Sequence, residues 1–444
     1  MVFFIFFIKF EENYYACIPY CVMETYGKIL VIATPAFLVL VLLEKLYGWI
    51  VKKDSFRSMD MLSSLSSGST NGVKDVLQLS VSILSYKWMY DHWAIFKVES
   101  TIISAVIAFI ALDLAGYWIH RMSHEINFFW NKHAIHHSSE EFNLACALRQ
   151  SISSFVSLFT IFLLPAALLG VDPKTIAIIA PIHLFAQLWY HTVYINKMGF
   201  LEKIIVTPSH HRVHHAINLE YRDKNHGQIF IFWDKLFGTF QEELASVPPV
   251  YGITRPARTW NPIKINFQHL WFMMKDAYYA QYWKDKLKIW FMPTGWRPAD
   301  VAEKFPDVKI DDPYNFERYN PQSSQLMIIW SWFQTFATLL LLMYFFGNLA
   351  KIGSPNIFFY GAFIYLTIFS YTELMDRNPF ALAWEALRLT LGLALIYHLG
   401  DWFGINTQYA WGTMAIVSYF VISFIATTFF VIFEIKKENV LTMA

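Results

Sequence analysis

"TIISAVIAFIALDLAGYWIHRMSHEINFFWNKHAIHHSS" (residues 101–139) couples an apolar run to a dense group of histidines. Up to His120 its only acidic or basic residue is Asp113. That length suffices for a helix to cross a hydrocarbon core about 30 Å thick. Five histidines then fall within eighteen positions: His120, His124, His133, His136 and His137. The stretch therefore predicts a membrane helix that ends in metal-type donors.

The rest of the chain agrees. Its 444 residues are 56% hydrophobic and only 16% charged, against about 25% charged in soluble domains. This predicts an all-α, polytopic transmembrane bundle. Nine spans are expected, near residues 28–50, 74–91, 100–120, 151–170, 175–195, 324–346, 356–373, 380–399 and 411–433. The second is weakest, because Lys74 and Asp75 stand at its start. "SSLSSGSTNG" (63–72) reads as a Ser/Gly-rich linker. The polar, aromatic stretch 196–323 is too charged to span and suits the membrane interface. The expected division is an N-terminal membrane region (1–99), a histidine-box domain (100–245), an interfacial segment (246–323) and a C-terminal membrane bundle (324–444). A net charge of +1 gives no reason to expect nucleic acid as a partner. Cys17, Cys21 and Cys146 cannot make a disulfide framework. "MVFFIFFIKF" lacks a basic leading region and does not read as a cleaved signal.

Basic residues set the expected orientation. Lys45, Lys52, Lys53 and Arg57 follow the first span, Arg121, Lys132 and Arg149 the third, and Lys436 and Lys437 the ninth. Nine spans put all of them on one side, which the positive-inside rule makes cytosolic. The histidine boxes would form a helical cap on that face.

Spacing gives the histidines meaning. His120 and His124 are one turn apart on one helix face. His133/His136/His137 and His211/His214/His215 repeat an HxxHH pattern. In each, the first ring meets both later ones, while the adjacent pair diverges by about 100° and can reach different metals. Imidazole suits iron, copper, nickel and zinc. Eight such ligands exceed the needs of one ion and divide well over two. A hairpin around "VDPKT" (171–175) would return the third box to the face of the first two. Isolated histidines are usually surface or core residues, and His92, His269 and His398 are read so. A loose metal-sensing tract would lack the repeated helical spacing.

At these residues the chain resembles the fatty acid hydroxylase superfamily of membrane di-iron enzymes, which carries HxxxH, HxxHH and HxxHH. "VTPSHHRVHH" (206–215) and "WDKLFGTF" (233–240) support the match over roughly 100–245. "GYWIHRMSHE" (116–125), "HHSSEEFNLACALRQS" (136–151), "DKNHGQIFIFWDKLFGTF" (223–240) and "MDRNPFALAWEALR" (375–388) resemble its ether-lipid-cleaving branch. The resemblance implies two iron ions, tetrahydrobiopterin, molecular oxygen and an ether lipid substrate in the endoplasmic reticulum membrane. It implies cleavage of an O-alkyl bond through a hemiacetal to a fatty aldehyde and glycerol. It also adds His191 as a ninth metal ligand. His210 and His183 are weaker candidates, the first as support for a ligand, the second as a buried polar residue. His226 stands where the family has tyrosine and is read as a substitution, not a ligand.

Asp113 lies inside a span, where an ionisable group is by default functional. It shares a face with Tyr117, His120 and His124, so support of a ligating histidine is its preferred role, against a buried ion pair. Glu125 matches the family motif and is placed near the metals or reductant, with a solvated interface charge as the competing reading. Asn143, Arg149 and Gln150 lie in a family stretch and are candidates for a cofactor or substrate entrance, with capping and anchoring as alternatives. Glu385 and Arg388 read as a structural ion pair, and Asp234 as a turn cap. Two other functions compete. A fatty acid or sterol hydroxylase fed by cytochrome b5 would share the boxes. A metal transporter would need ligands along a path within the spans.

Overall fold

The computed structural model describes residues 18–53, 55–98 and 101–435. The "MVFFIFFIKF" run, Cys17, Lys436 and Lys437 lie outside the described residues, as does the side chain of Cys21. The described residues begin with α1 (Ile18–Ile50), α2 (Ser58–Val76), α3 (Tyr86–Trp93), α4 (Thr101–Glu125) and α5 (Asn127–His137). There follow α6 (Leu164–Leu168), α7 (Pro173–Phe185), α8 (Pro208–His215), α9 (Phe232–Phe237), α10 (Pro262–Tyr279), α11 (Trp283–Lys288) and α12 (Ala299–Lys304). The last group is α13 (Gln325–Gly347), α14 (Leu349–Ile352), α15 (Asn356–Met375), α16 (Ala381–Leu399) and α17 (Gly412–Phe430). Strands β1 (Val81–Ser82) and β2 (Val156–Ser157) form one short parallel pair.

Helix starts carry the expected chemistry. Asp172 caps α7 by accepting from Lys174 N–H, with Pro173 next. Asn261 caps α10 ahead of Pro262, and Ser324 caps α13 by accepting from Met327 N–H. Each satisfies an N–H that a helix end leaves unpaired.

Among the described residues, six helices are long and apolar enough to cross a membrane: most of α1, then α4, α13, α15, α16 and α17 with its π-helical end. They coincide with six of the nine expected spans. Residues 151–170 instead form β2, a 3₁₀ turn (Phe159–Leu163) and α6. The 175–195 stretch is helical only to Phe185, and the 13 residues of α7 rise about 20 Å. Residues 74–91 are divided among the end of α2, β1 and α3.

The linker reading of residues 63–72 is corrected. They lie inside α2, and nearly all of them are buried. Ser64, Ser66 and Ser69 donate back to the carbonyls of Asp60, Leu62 and Leu65 at 3.0, 2.6 and 3.0 Å. Hydroxyls satisfied within the helix can be buried without loss. Met59, Leu62, Val73 and Val76 meanwhile enter the main core with α13 and α15. Ser66 meets the Tyr371 hydroxyl at 2.5 Å, and Tyr365 Oη donates to the Thr70 carbonyl at 2.9 Å. So α2 runs antiparallel to α15 and leads away from the end where α15 finishes. Shielded from lipid by protein, it tolerates a polar face.

One end of the bundle gathers the chain ends that frame the site. Arg377, after α15, pairs with Glu434 at 3.0 Å, and Glu434 accepts from Ser324 Oγ before α13 at 2.8 Å. Arg57, before α2, pairs with Glu141 at 2.7 Å. Glu44 in α1 accepts from Thr192 at 2.6 Å and Leu144 N–H at 2.7 Å.

Glu385 and Arg388 form the expected ion pair, with Arg388 Nε 3.0 Å from Glu385 Oε2. Both are buried, and the guanidinium lies 4.9 Å from the centre of the Tyr419 ring. Removing one partner of a buried pair costs about 3–5 kcal/mol. Glu385→Ala should therefore lower the melting temperature in detergent markedly. An unchanged melting curve would show that the pair does not support the bundle.

Candidate metal centre

Helix α4 presents His120 and His124 on its buried side, at the end reached by the expected histidine cluster. Ile126 adopts extended backbone (φ −122°, ψ 126°), which ends α4 and re-aims the chain into α5. Helix α5 carries His133, His136 and His137. Helix α8 carries His211, His214 and His215 and is fully buried. Pro208 at its first turn and a reciprocal Thr207–His210 capping box fix its start. His191 follows α7 in the returning arm.

All nine expected histidines fall into two groups. His120, His124, His133, His137 and His214 form one, and His136, His191, His211 and His215 the other. Within each, the ligand atoms lie within 4.8 Å of one another. The adjacent pairs diverge as their spacing predicts: His136 and His137 serve different groups, and so do His214 and His215.

The donor set fits a metal. His120 Nε2 lies 3.0 Å from His133 Nε2, which lies 3.1 Å from His137 Nε2. His211 Nε2 lies 2.9 Å from His191 Nε2 and 3.1 Å from His215 Nε2. An ion about 2.1 Å from each nitrogen puts neighbouring ligand atoms about 3 Å apart and opposite ones about 4.2 Å apart. Nε2 of His124 and His214 and Nδ1 of His191 and His211 are buried without a hydrogen-bond partner. Burial, helped by neighbouring imidazoles, pushes His133, His137, His191, His211, His214 and His215 well below the usual imidazole range. Burial likewise lowers His136 to about 4, against a raising bond to the Arg149 carbonyl. These rings are neutral at pH 7, the form that ligates metals.

Backbone carbonyls orient several rings from behind. His120 Nδ1 meets the His226 carbonyl at 2.9 Å, His214 Nδ1 the Lys224 carbonyl at 2.9 Å, and His136 Nδ1 the Arg149 carbonyl at 3.2 Å. Such contacts leave Nε2 facing forward. The 223–230 loop that supplies two of them is held by two buried carboxylates. Asp234 accepts from the N–H groups of His226 and Gly227, both at 2.7 Å. Asp113 accepts from Ile229 N–H and Trp233 Nε1, both at 2.8 Å. Gly116 allows the same loop close to α4, because a Cβ there would lie 2.6 Å from Gln228 Cγ. Arg149 is fixed by α2: its guanidinium donates to Ser64 Oγ at 2.9 Å and pairs with Asp60 at 3.1 Å.

The remaining expected residues take distinct places. Asp113 touches no boxed histidine; its imidazole partner is His183, at 2.8 Å, so it supports His120 through the loop. Glu125 pairs with Arg121 at 2.8 Å, is 44% exposed and belongs to neither group. Asn143 donates to the Ser55 carbonyl at 2.8 Å. Arg149 and Gln150 line a cavity of about 280 Å³ that reaches His120 and His133 of one group and His136, His191 and His211 of the other. His226 lies in neither group, and His210 stays in its capping box. A second cavity, of about 650 Å³, is bordered by His124, His137, His214 and His215. Asp60 and Ser64, which hold Arg149 behind His136, are not singled out by the sequence motifs. Their signal was present: Asp60, Ser64, Ser67, Asn71 and Lys74 are spaced 4, 3, 4 and 3, one polar stripe on a helix.

Two groups predict two separable ions. His120→Ala and His211→Ala should each cost one bound metal per chain in elemental analysis of the purified protein. Full retention in both variants would exclude these groups as metal sites.

Residues 105–239 match the fatty acid hydroxylase family model. The chain is 35% identical to alkylglycerol monooxygenase of Homo sapiens over 83% of its own length and 82% of that protein. It is 31% identical to the proteins of the same name from Xenopus tropicalis (82% and 81%) and Danio rerio (83% and 82%). No solved structure matches the chain. Identity at this level across more than four-fifths of both chains extends well beyond the histidine boxes, and the chain belongs to the alkylglycerol monooxygenase family of membrane oxidoreductases.

Proposed function

We propose that the chain is a di-iron, tetrahydrobiopterin-dependent monooxygenase that cleaves the O-alkyl ether bond of alkylglycerols. The observation that carries this reading is the pair of imidazole groups beside a cavity between helices, in a chain similar to alkylglycerol monooxygenases along most of its length. His120, His124, His133, His137 and His214 would hold one iron, and His136, His191, His211 and His215 the other. Iron bound there would supply the oxygen activation that side chains alone cannot. The pterin would supply two electrons. The larger cavity suits a flat heteroaromatic reductant, since Trp130, Phe272 and Trp296 line it together with polar Asp276 and Arg297.

The chain's own residues bind, orient and exclude water. The smaller cavity combines apolar Ile119, Phe159, Leu184 and Leu188 with the histidines, which suits an alkyl chain beside a polar head. One oxygen atom enters a C–H bond next to the ether oxygen. The other leaves as water with two electrons and two protons. The resulting hemiacetal breaks its C–O bond to the glycerol, whose departing oxygen takes up the proton that the hemiacetal hydroxyl releases as it becomes the aldehyde carbonyl. A fatty aldehyde and glycerol are the products. Asp113, Asp234 and Arg149 are positioning residues for the imidazoles. We assign residues 100–245 as the catalytic unit, and place the histidines on the cytosolic face of the endoplasmic reticulum membrane, where a lipid ether, oxygen and a soluble reductant can meet.

Microsomes containing the chain should release aldehyde from a radiolabelled alkylglycerol only when tetrahydrobiopterin is added. His136→Ala should abolish that release and lower bound metal. Aldehyde release without pterin, or supported by cytochrome b5 alone, would sink the assignment.

A further inference from the structure

The smaller cavity has a polar wall that metal binding does not use. Asn71, Lys74 and Asp75, from the last turns of α2, line it. Lys74 and Asp75 are 5% and 2% exposed. Lys74 Nζ donates to the Ser151 carbonyl at 2.8 Å and lies 3.4 Å from Asp75 Oδ1. Asn71 Nδ2 donates to Asp75 Oδ2 at 2.8 Å. An ammonium has three donors and a carboxylate about four lone-pair sites, so both groups keep capacity for a ligand. Ser154, 7% exposed, lines the same cavity with a buried hydroxyl that has no partner. An unpaired buried hydroxyl is costly, which points to a ligand that completes it.

This wall has a second distinguishing property. Helix α2 lies outside residues 105–239, the part that matches the fatty acid hydroxylase family model. The polar groups thus come partly from outside the unit shared with hydroxylases of other lipids. An alkylglycerol differs from a plain alkyl chain by two free hydroxyls close to the ether. Each hydroxyl needs a donor and an acceptor if it enters such a cavity. Carboxylate, ammonium, amide and unpaired hydroxyl together offer both.

We infer that Asn71, Lys74 and Asp75 of α2, with Ser154, form the subsite that recognises the two free hydroxyls of the glycerol head. The assignment rests on the ether-lipid reading proposed above. The subsite selects the substrate head and takes no part in the oxidation itself. Loss of a contact made equally before and during the reaction raises KM without lowering kcat.

The test uses the full chain in detergent with two ethers: an alkylglycerol, and the same ether with one hydroxyl replaced by hydrogen. Wild type should prefer the diol. Ser154→Ala should raise KM for the diol ~5-fold, and Asp75→Asn ~10-fold, as expected for one neutral and one charged hydrogen bond. KM for the deoxy ether should change less, and bound metal should match wild type. Ser154→Ala removes a hydroxyl that bonds nothing in the protein, so its fold is retained even if Asp75→Asn is unstable. An unchanged preference in Ser154→Ala, or equal losses for both ethers, overturns the subsite. If wild type cleaves neither ether, the proposed activity fails, and binding of radiolabelled alkylglycerol competed by each ether still decides the subsite. Equal competition overturns it, and stronger competition by the diol supports it.

Discussion

A buried neutral imidazole has one N–H to place and one lone pair to offer. Around nine such rings the structure depends on placing them correctly. Carbonyls of His226, Lys224 and Arg149 stand behind His120, His214 and His136, so that Nε2 faces the centre. Those carbonyls belong to non-helical backbone, which must itself be held. Asp113 and Asp234 hold the 223–230 loop, and Asp60 with Ser64 holds Arg149. Four polar side chains that belong to neither imidazole group thus decide whether the imidazoles converge.

That constraint explains the distribution of buried charge. Acids are costly among membrane helices and need full partnership to persist. Asp113 has it, accepting from two backbone N–H groups and an indole while meeting an imidazole. Helix α2 solves the same problem with serines that bond to their own helix on one side and a polar stripe that meets the histidine segment on the other. Its position also links the histidine-bearing segments to the C-terminal bundle, through Ser66–Tyr371 and Thr70–Tyr365. The C-terminal helices thereby brace the element that braces Arg149.

Much of the site was legible because helical spacing is local. HxxxH and HxxHH place rings by a geometry that no distant residue alters. The divergence of His136 from His137, and of His214 from His215, follows from it and appears as two groups. Residues 63–72 were illegible for the opposite reason. Serine and glycine have weak helix preference, and burial by α13 and α15 overrode it. Asp113 was recognised as unusual, yet its partners lie about seventy and more than a hundred residues away. Glu125 followed a motif, but its side chain turns to Arg121, one turn back on the same helix.

By itself the sequence determined a helical membrane protein, six of its long spans, and which imidazoles share a helix face. Those follow from hydropathy and from the fixed pitch of a helix, both properties of neighbouring residues. Only the tertiary structure decided how His191 joins three rings from two helices, which loops stand behind them, and that a serine-rich helix walls the cavity. These depend on contacts between segments distant in the chain, where packing and the need to satisfy buried polar groups outweigh local preference.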